Sequence, residues 1–281
     1  MAMPQDRVTI RVTEGVADVR LNRPDKLNAL DGAMFRAIVD AGAALVDDPS
    51  LRAVVLSGEG RAFCAGLDFS GFAAMAQRDA SHDGEDDANA GDVADLGRTD
   101  GRITHLAQQA AHCWSEVPVP VIAAIWGHCL GGGLQIAAGA DIRVVHPQTR
   151  LSVLEIRWGL TPDMTITASL PPLVGLDVAK ELTWTGRMIG GDEAHRIGLA
   201  TRLSDDPLAE ALALARHIAH HNPDAIRGAK RLYARPLPEL AEQYAAERAT
   251  ITDLIGSSNQ VEAVNAYFEK RDPAFTDPPG P

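Results

Sequence analysis

Residues 127–139 read GHCLGGGLQIAAG, so three consecutive glycines, Gly131, Gly132 and Gly133, separate the apolar run VIAAIW (121–126) from a stretch of helix formers. Glycine loses more backbone freedom on folding than any other residue. A run of three fits a chain that turns sharply, or one whose backbone must itself approach a partner. The pattern predicts a strand over 121–126, a turn, and a helix beginning near Gly132 or Gly133. The first N–H groups of such a helix lack intrahelical acceptors and lie at the positive end of its dipole. With no Cβ in the way, a ligand oxygen can touch them, which makes the turn a candidate anion or oxyanion site. Glycines kept only for tight helix–strand packing are the alternative. A dinucleotide fingerprint does not fit, because the last position of G-x-G-x-x-G/A falls on Ile136. A Walker lysine and a G-x-S-x-G elbow are also missing here.

The same strand–turn–helix logic extends along the chain. VTIRVTEGVADVRL reads as a hairpin broken at Glu14-Gly15, and LDGAMFRAIVDAGAALVDD as a helix with Asp31 at its N-cap. LRAVVLSGEG is a strand ending at Ser57-Gly58, and DIRVVHP is another. Strands alternating with helices predict an α/β fold. GRAFCAGLDF (60–69) places a second glycine turn after a second strand, with Ala65-Gly66 opening toward a helix and Asp68 as its possible cap. Two such turns could aim their N–H groups at one carbonyl oxygen, where each donor contributes about 3–4 kcal/mol to the transition state.

Residues 1–205 are expected to form the core domain. Residues 78–102 are acidic and poor in apolar side chains, and read as a mobile surface loop, either a lid or a tolerated insertion. Residues 206–275 read as a helical module: two helices split at Pro223, then a third through LAEQYAAERATITDLIGSSNQVEAVNAYFEKR. Its apolar faces need a partner, in the chain's own core or on a neighbouring subunit. The tail at 276–281 is expected to be disordered.

A formal net charge of −12 argues against nucleic acid, which requires a basic face, and against an anionic membrane surface. No run approaches the roughly 20 apolar residues of a membrane span. The N-terminus lacks a signal peptide's apolar segment, so a cytoplasmic location is expected. Cys64, Cys113 and Cys129 form no CxxC pair; they read as buried small hydrophobes, and no metal site is expected.

Five segments together carry a family resemblance: NRPDKLNAL (22–30), RAFCAGLDF (61–69), GHCLGGGLQIAAGADIRV (127–144), LSVLEIRWGLTPD (151–163) and VEAVNAYFEKRDPAF (261–275). In this order they resemble the crotonase superfamily, the enoyl-CoA hydratase/isomerase family. The resemblance implies an α/β spiral of β-β-α units with a helical C-terminal oligomerisation region. It implies a homotrimer or dimer of trimers, an acyl-CoA thioester substrate, and no metal or redox cofactor. The family's oxyanion-hole amides fall, by position, on Ala65 and Gly132. Coenzyme A would run along Lys26, Leu27, Ala29 and the Ala65–Asp68 loop, including Gly66 and Leu67. Lys26 would meet a CoA phosphate, or else is an ordinary surface lysine.

Hydratases of this family resemble one another in holding a water between two glutamates. The second falls here on Glu155, but the first falls on Gln135, an amide that neither accepts nor releases a proton near neutral pH. Loss of a positioned acid–base group costs about 10²–10⁴ in rate. Asp163 lies where the dienoyl-CoA isomerase branch carries an aspartate used in proton transfer. The resemblance therefore implies Glu155, Asp163 and Gln135 as the catalytic set, with double-bond isomerisation preferred. Hydration of a 2-enoyl-CoA, non-catalytic acyl-CoA binding and thioester hydrolysis are the alternatives. Asp163 could instead be an N-cap, and Gln135 could bond to Glu155 or to water. His128 and His195 read as structural. Arg157-Trp158 would line the acyl pocket or a subunit contact.

Overall fold

The computed structural model describes residues 6–68, 101–234 and 237–274. The acidic stretch expected to be a loop, 78–102, lies outside these residues apart from its last two positions, as does the tail at 276–281.

Eight strands are described: β1 Val8–Thr13, β2 Val16–Leu21, β3 Ala53–Gly58, β4 Val121–Ile125, β5 His128–Leu130, β6 Ile142–Val145, β7 Arg150–Ser152 and β8 Arg202–Leu203. Six form one sheet in the order β1-β2-β3-β4-β6-β8; β5 and β7 pair in a second, two-stranded parallel sheet. Only the β1–β2 pair of the large sheet is antiparallel. Its turn falls on Glu14 and Gly15, both at positive φ (51° and 77°), the backbone that a two-residue hairpin turn demands.

Strands β3 and β4 are buried along their whole length, as expected of parallel strands covered on both faces. Alternation then splits their side chains between two cores. Val54, Leu56, Val121, Ala123 and Ile125 join the main core. Within it, helix α1 (Gly32–Val46) and helix α2 (Leu106–Glu116) pack closely; a Cβ on Gly42 would lie 2.7 Å from that of Cys113. Asp31 caps α1, accepting from the Met34 N–H at 2.8 Å.

Helix α3 (Gly132–Ala138) starts at the expected glycine, and is followed by α4 (Ile166–Ser169), α5 (Pro171–Val174), α6 (Leu176–Thr185) and α7 (Gly191–Arg196). Helix α8 (Pro207–Ala219) covers the sheet's other face, burying Ala211 and Ala215 against Val55, Ile122, Ala124 and Val144.

Helix α9 (Pro223–Tyr233) begins with the proline that splits it from α8. The single third helix expected beyond it is two, α10 (Leu237–Leu254) and α11 (Ser258–Glu269). The reason is local: Gly256 takes a left-handed φ of 75°, and Ser257 then caps α11 by accepting from the Gln260 N–H. The C-terminal helices use the chain's own core as a partner, since Leu240, Tyr244 and Ile251 of α10 are buried. Leu232, Tyr233, Tyr267 and Phe268 stay exposed. All three cysteines are free and buried, and burial pushes the Cys64 thiol up to about 12. Among the described residues no helix is long and apolar enough to cross a membrane.

Candidate active site

The two glycine turns lie side by side. The Cys64 N–H donates to His128 C=O at 2.9 Å and the Leu130 N–H to Cys64 C=O at 3.0 Å. Side chains would not fit between them: a Cβ on Gly66 (φ 90°) would stand 2.9 Å from the Leu130 carbonyl, and one on Gly133 2.6 Å from the Cys64 carbonyl. The packing reading and the ligand reading of the glycines are therefore both served by one geometry.

Accounting for each amide shows which are available. In the first turn the Ala65 N–H donates to Leu27 C=O (3.0 Å), the Gly66 N–H to the Cys64 sulfur, and the Asp68 N–H to Leu30 C=O (2.9 Å). Ala65 therefore cannot supply an oxyanion donor, contrary to the positional expectation. Pairing of this segment with residues 27–30 uses its amide, and the Leu67 N–H has no acceptor among the described residues. In the second turn the Gly131 N–H donates to Ser152 C=O (2.9 Å) and the Gln135 N–H to Gly131 C=O (3.1 Å). The Gly132 N–H, at the first position of α3, has no acceptor among the described residues. Its surroundings are apolar, since a Cβ there would meet Leu30 and Met164.

Glu155 opens a short 3-10 turn, Glu155–Trp158, immediately beyond β7. Its Oε1 accepts from Gln135 Nε2 at 2.7 Å, while Gln135 Oε1 accepts from the Met164 N–H at 2.9 Å. The Met164 amide thus fixes which end of the Gln135 side chain faces Glu155. Glu155 Oε2 is buried with no hydrogen-bond partner. Burial pushes the carboxyl up to about 7, although the Gln135 donor works the other way.

Asp163 belongs to the same constellation. Burial, then the charges of Glu155 and Glu247, push its carboxyl up to about 8. It is not an N-cap: α4 begins three residues later, preceded by Thr165 and with no side-chain cap. Its Oδ2 lies 3.8 Å from Nε2 of His105, whose side chain is fully buried. Sequence reasoning missed His105. The available signal was a polar residue just before a helix with a glutamine three positions on, since His105 and Gln108 form a capping box.

The expected coenzyme A residues surround the first turn. Lys26 is exposed at the end of a 3-10 turn, Pro24–Lys26, Leu27 is half-buried at φ 52°, and Ala29 is buried. Asp68 forms an ion pair with Arg23 at 2.6 Å, and the helix expected to follow it lies outside the described residues. Two positioning residues were not foreseen. Asn28, fully buried, donates to the Ala62, Glu59 and Phe63 carbonyls and accepts from the Arg23 N–H, so it ties the two loops together. Its left-handed φ of 57° is one that asparagine tolerates well. Arg23 bridges Asp68 and Asp31.

Trp158 packs edge-on against Tyr267 of α11 at 4.4 Å, a contact within this chain, and Arg157 is exposed. His195 Nδ1 lies 3.0 Å from Ala200 C=O. A separate hollow of about 470 Å³, lined by Trp126, His146, Asp205 and their neighbours, shares no residue with the constellation and holds no unpaired buried side-chain atom.

The arrangement offers two amides with no acceptor among the described residues, on two turns that pack together, and two carboxyls that burial pushes up toward neutrality. The enoyl-CoA hydratase/isomerase family model matches residues 11–278. The chain is 31% identical to the "Probable enoyl-CoA hydratase echA8" of Mycobacterium bovis, covering 98% of this chain and 99% of that protein. It is 32% identical to the mitochondrial Delta(3,5)-Delta(2,4)-dienoyl-CoA isomerase of Mus musculus, over 94% of this chain and 80% of that one. Among solved structures, an enoyl-CoA hydratase/isomerase from Pseudoalteromonas atlantica T6c superimposes with a TM-score of 0.80 at 27% identity, covering 96% of this chain and all of the other. These likenesses extend over nearly the whole chain, and they establish that this protein belongs to the enoyl-CoA hydratase/isomerase family.

Proposed function

We propose that this protein shifts a carbon–carbon double bond in an enoyl- or dienoyl-CoA by removing a proton from one carbon and returning one to another through two half-buried carboxyl groups. The observation that carries this reading is the pairing of Glu155 and Asp163, both raised toward neutrality, with an amide rather than an acid at Gln135. Glu155 takes a proton from the saturated carbon next to the thioester carbonyl. The electron pair moves into the dienolate, whose oxygen accepts from the Gly132 and Leu67 N–H groups, each worth about 3–4 kcal/mol to the transition state. Protonated Asp163 then delivers its proton to the distal carbon. One proton enters the substrate and one leaves it, so the reaction is redox-neutral and calls for no metal or redox cofactor; proton exchange with solvent then returns Glu155 to its ionised form and Asp163 to its protonated form. Coenzyme A would extend along Leu27, Ala29 and Gly66–Asp68, with Lys26 at a phosphate. The proposal includes assembly as a homotrimer or dimer of trimers, for which the exposed Leu232, Tyr233, Tyr267 and Phe268 offer apolar surface.

Hydration of a 2-enoyl-CoA is the second reading, favoured by the relatives described as hydratases and by the unpaired Glu155 Oε2. Against it stands Gln135, held on both sides and unable to exchange a proton. Purified protein offered a 2-enoyl-, a 3-enoyl- and a 3,5-dienoyl-CoA is expected to turn over the last two faster. Faster hydration of the first overturns the preference, and binding of all three without turnover removes the catalytic reading altogether.

The pH dependence has a definite sign. Turnover needs Glu155 ionised and Asp163 protonated, so it rises through about 7 and falls through about 8, giving a narrow bell for kcat. A rate that keeps climbing above pH 9 would show that Asp163 is not the acid.

A further inference from the structure

We infer that His105 is a positioning residue for the reaction: its Nε2–H faces Asp163 and supports that carboxylate as it forms. The inference rests on the isomerase reading and adds a residue outside it. His105 caps α2 with its ring, Nδ1 accepting from the Ala107 N–H at 3.1 Å and from the Gln108 N–H at 3.3 Å. A ring nitrogen that accepts from backbone amides carries no proton, so the neutral ring holds its single proton on Nε2. That atom is buried, has no hydrogen-bond partner among the described residues, and lies 3.8 Å from Asp163 Oδ2.

The charges around the pair agree with a neutral ring. Arg248 of α10 and burial together lower the His105 pKa to about 4. Facing Asp163 are Glu155 and Glu247, both carboxyls, which disfavour its ionised form. Delivery of the Asp163 proton to substrate therefore leaves a carboxylate beside two other acids. The His105 N–H is the donor placed to meet it, at a separation that a small side-chain movement would close into a hydrogen bond. Using the ring as a helix cap fixes both its tautomer and its aim, so the donor needs no reorganisation during turnover.

The decisive variant is His105→Asn, which keeps a side-chain oxygen for the cap but puts no donor at the Nε2 position. With a 3,5-dienoyl-CoA, kcat should fall about tenfold, the loss expected for one hydrogen bond to a charged group, with KM little changed. Asp163 loses support for its charged form, so the alkaline limb of the kcat profile should move up by about one pH unit. A role confined to capping, which asparagine also fills, leaves both kcat and that limb in place, and that result would overturn the inference. Asp163→Asn, run beside it, separates the two readings: if that variant stays active, the isomerase mechanism fails, and if it is dead while the limb stays fixed, only the His105 role fails. Should His105→Asn not fold, ¹⁵N NMR of histidine-labelled wild-type protein decides. A neutral Nε2–H ring whose shift follows the Asp163 titration is expected; an Nδ1–H ring, a charged ring or an unresponsive signal overturns the inference.

Discussion

Glu155→Gln is expected to lower turnover of an enoyl- or dienoyl-CoA by about 10²–10⁴, the usual worth of a positioned acid–base group, while acyl-CoA still binds. The substitution preserves shape and leaves the amides of Leu67 and Gly132 in place, so binding and chemistry separate. Stopped-flow or steady-state assays with the three thioesters, together with calorimetric titration of a saturated acyl-CoA, measure both. Retained activity would remove Glu155 from the mechanism. The same variant should be more stable than wild type at pH 9. Burial raises the folded-state pKa of Glu155 to about 7, above its unfolded value, so the folded state prefers the protonated carboxyl. Stability is therefore lost as pH rises through that value, and a neutral amide abolishes the loss. Lower thermal stability than wild type at pH 9 would contradict the buried, unpaired state of Oε2.

Glu247→Ala should produce the largest loss of stability, about 2–4 kcal/mol, because it leaves several buried neutral donors without their shared acceptor. Glu247 is 5% exposed and accepts from the Thr165 N–H (2.8 Å), the Thr167 N–H (3.2 Å), the Thr167 hydroxyl (2.5 Å) and Gln108 Nε2 (3.1 Å). Removing the carboxylate strands these donors in the interior and frees α10 from both α2 and α4. Urea denaturation measures the effect, and a cost below about 1 kcal/mol would mean that the network relaxes. A kinetic signature accompanies it. The Glu247 charge contributes to raising Asp163, so its loss should move the alkaline limb of the pH profile down, opposite to the effect of His105→Asn.

Much of the site was legible in the chain because it is written in short-range patterns. The glycine run predicted a helix start near Gly132 or Gly133, and α3 begins at Gly132, where a Cβ would crowd Leu30 and Met164. Asp31, the Glu14-Gly15 turn and the break at Pro223 followed from local backbone preferences. Glu155, Gln135 and Asp163 were found through family resemblance, and they lie in one constellation.

The errors have a common cause. Ala65 was a plausible oxyanion donor until its amide was seen to pair with Leu27, a partner 38 positions away whose hydrogen bond no local pattern announces. Asp163 could be a cap or a catalytic acid on sequence grounds; the start of α4 and the facing His105 ring decided between them. Asn28 and Arg23 join loops distant in sequence, so nothing in the chain marked them.

By itself, the sequence determined the α/β class and the position of the glycine turns, because periodicity and glycine chemistry act over a few residues; the candidate carboxyl groups came from the resemblance to a family. Which amides remain unpaired, which way Gln135 points, and how far burial shifts each carboxyl were decided only by tertiary structure. Those properties depend on long-range pairing and exclusion of water, which exist only once the chain has closed around them.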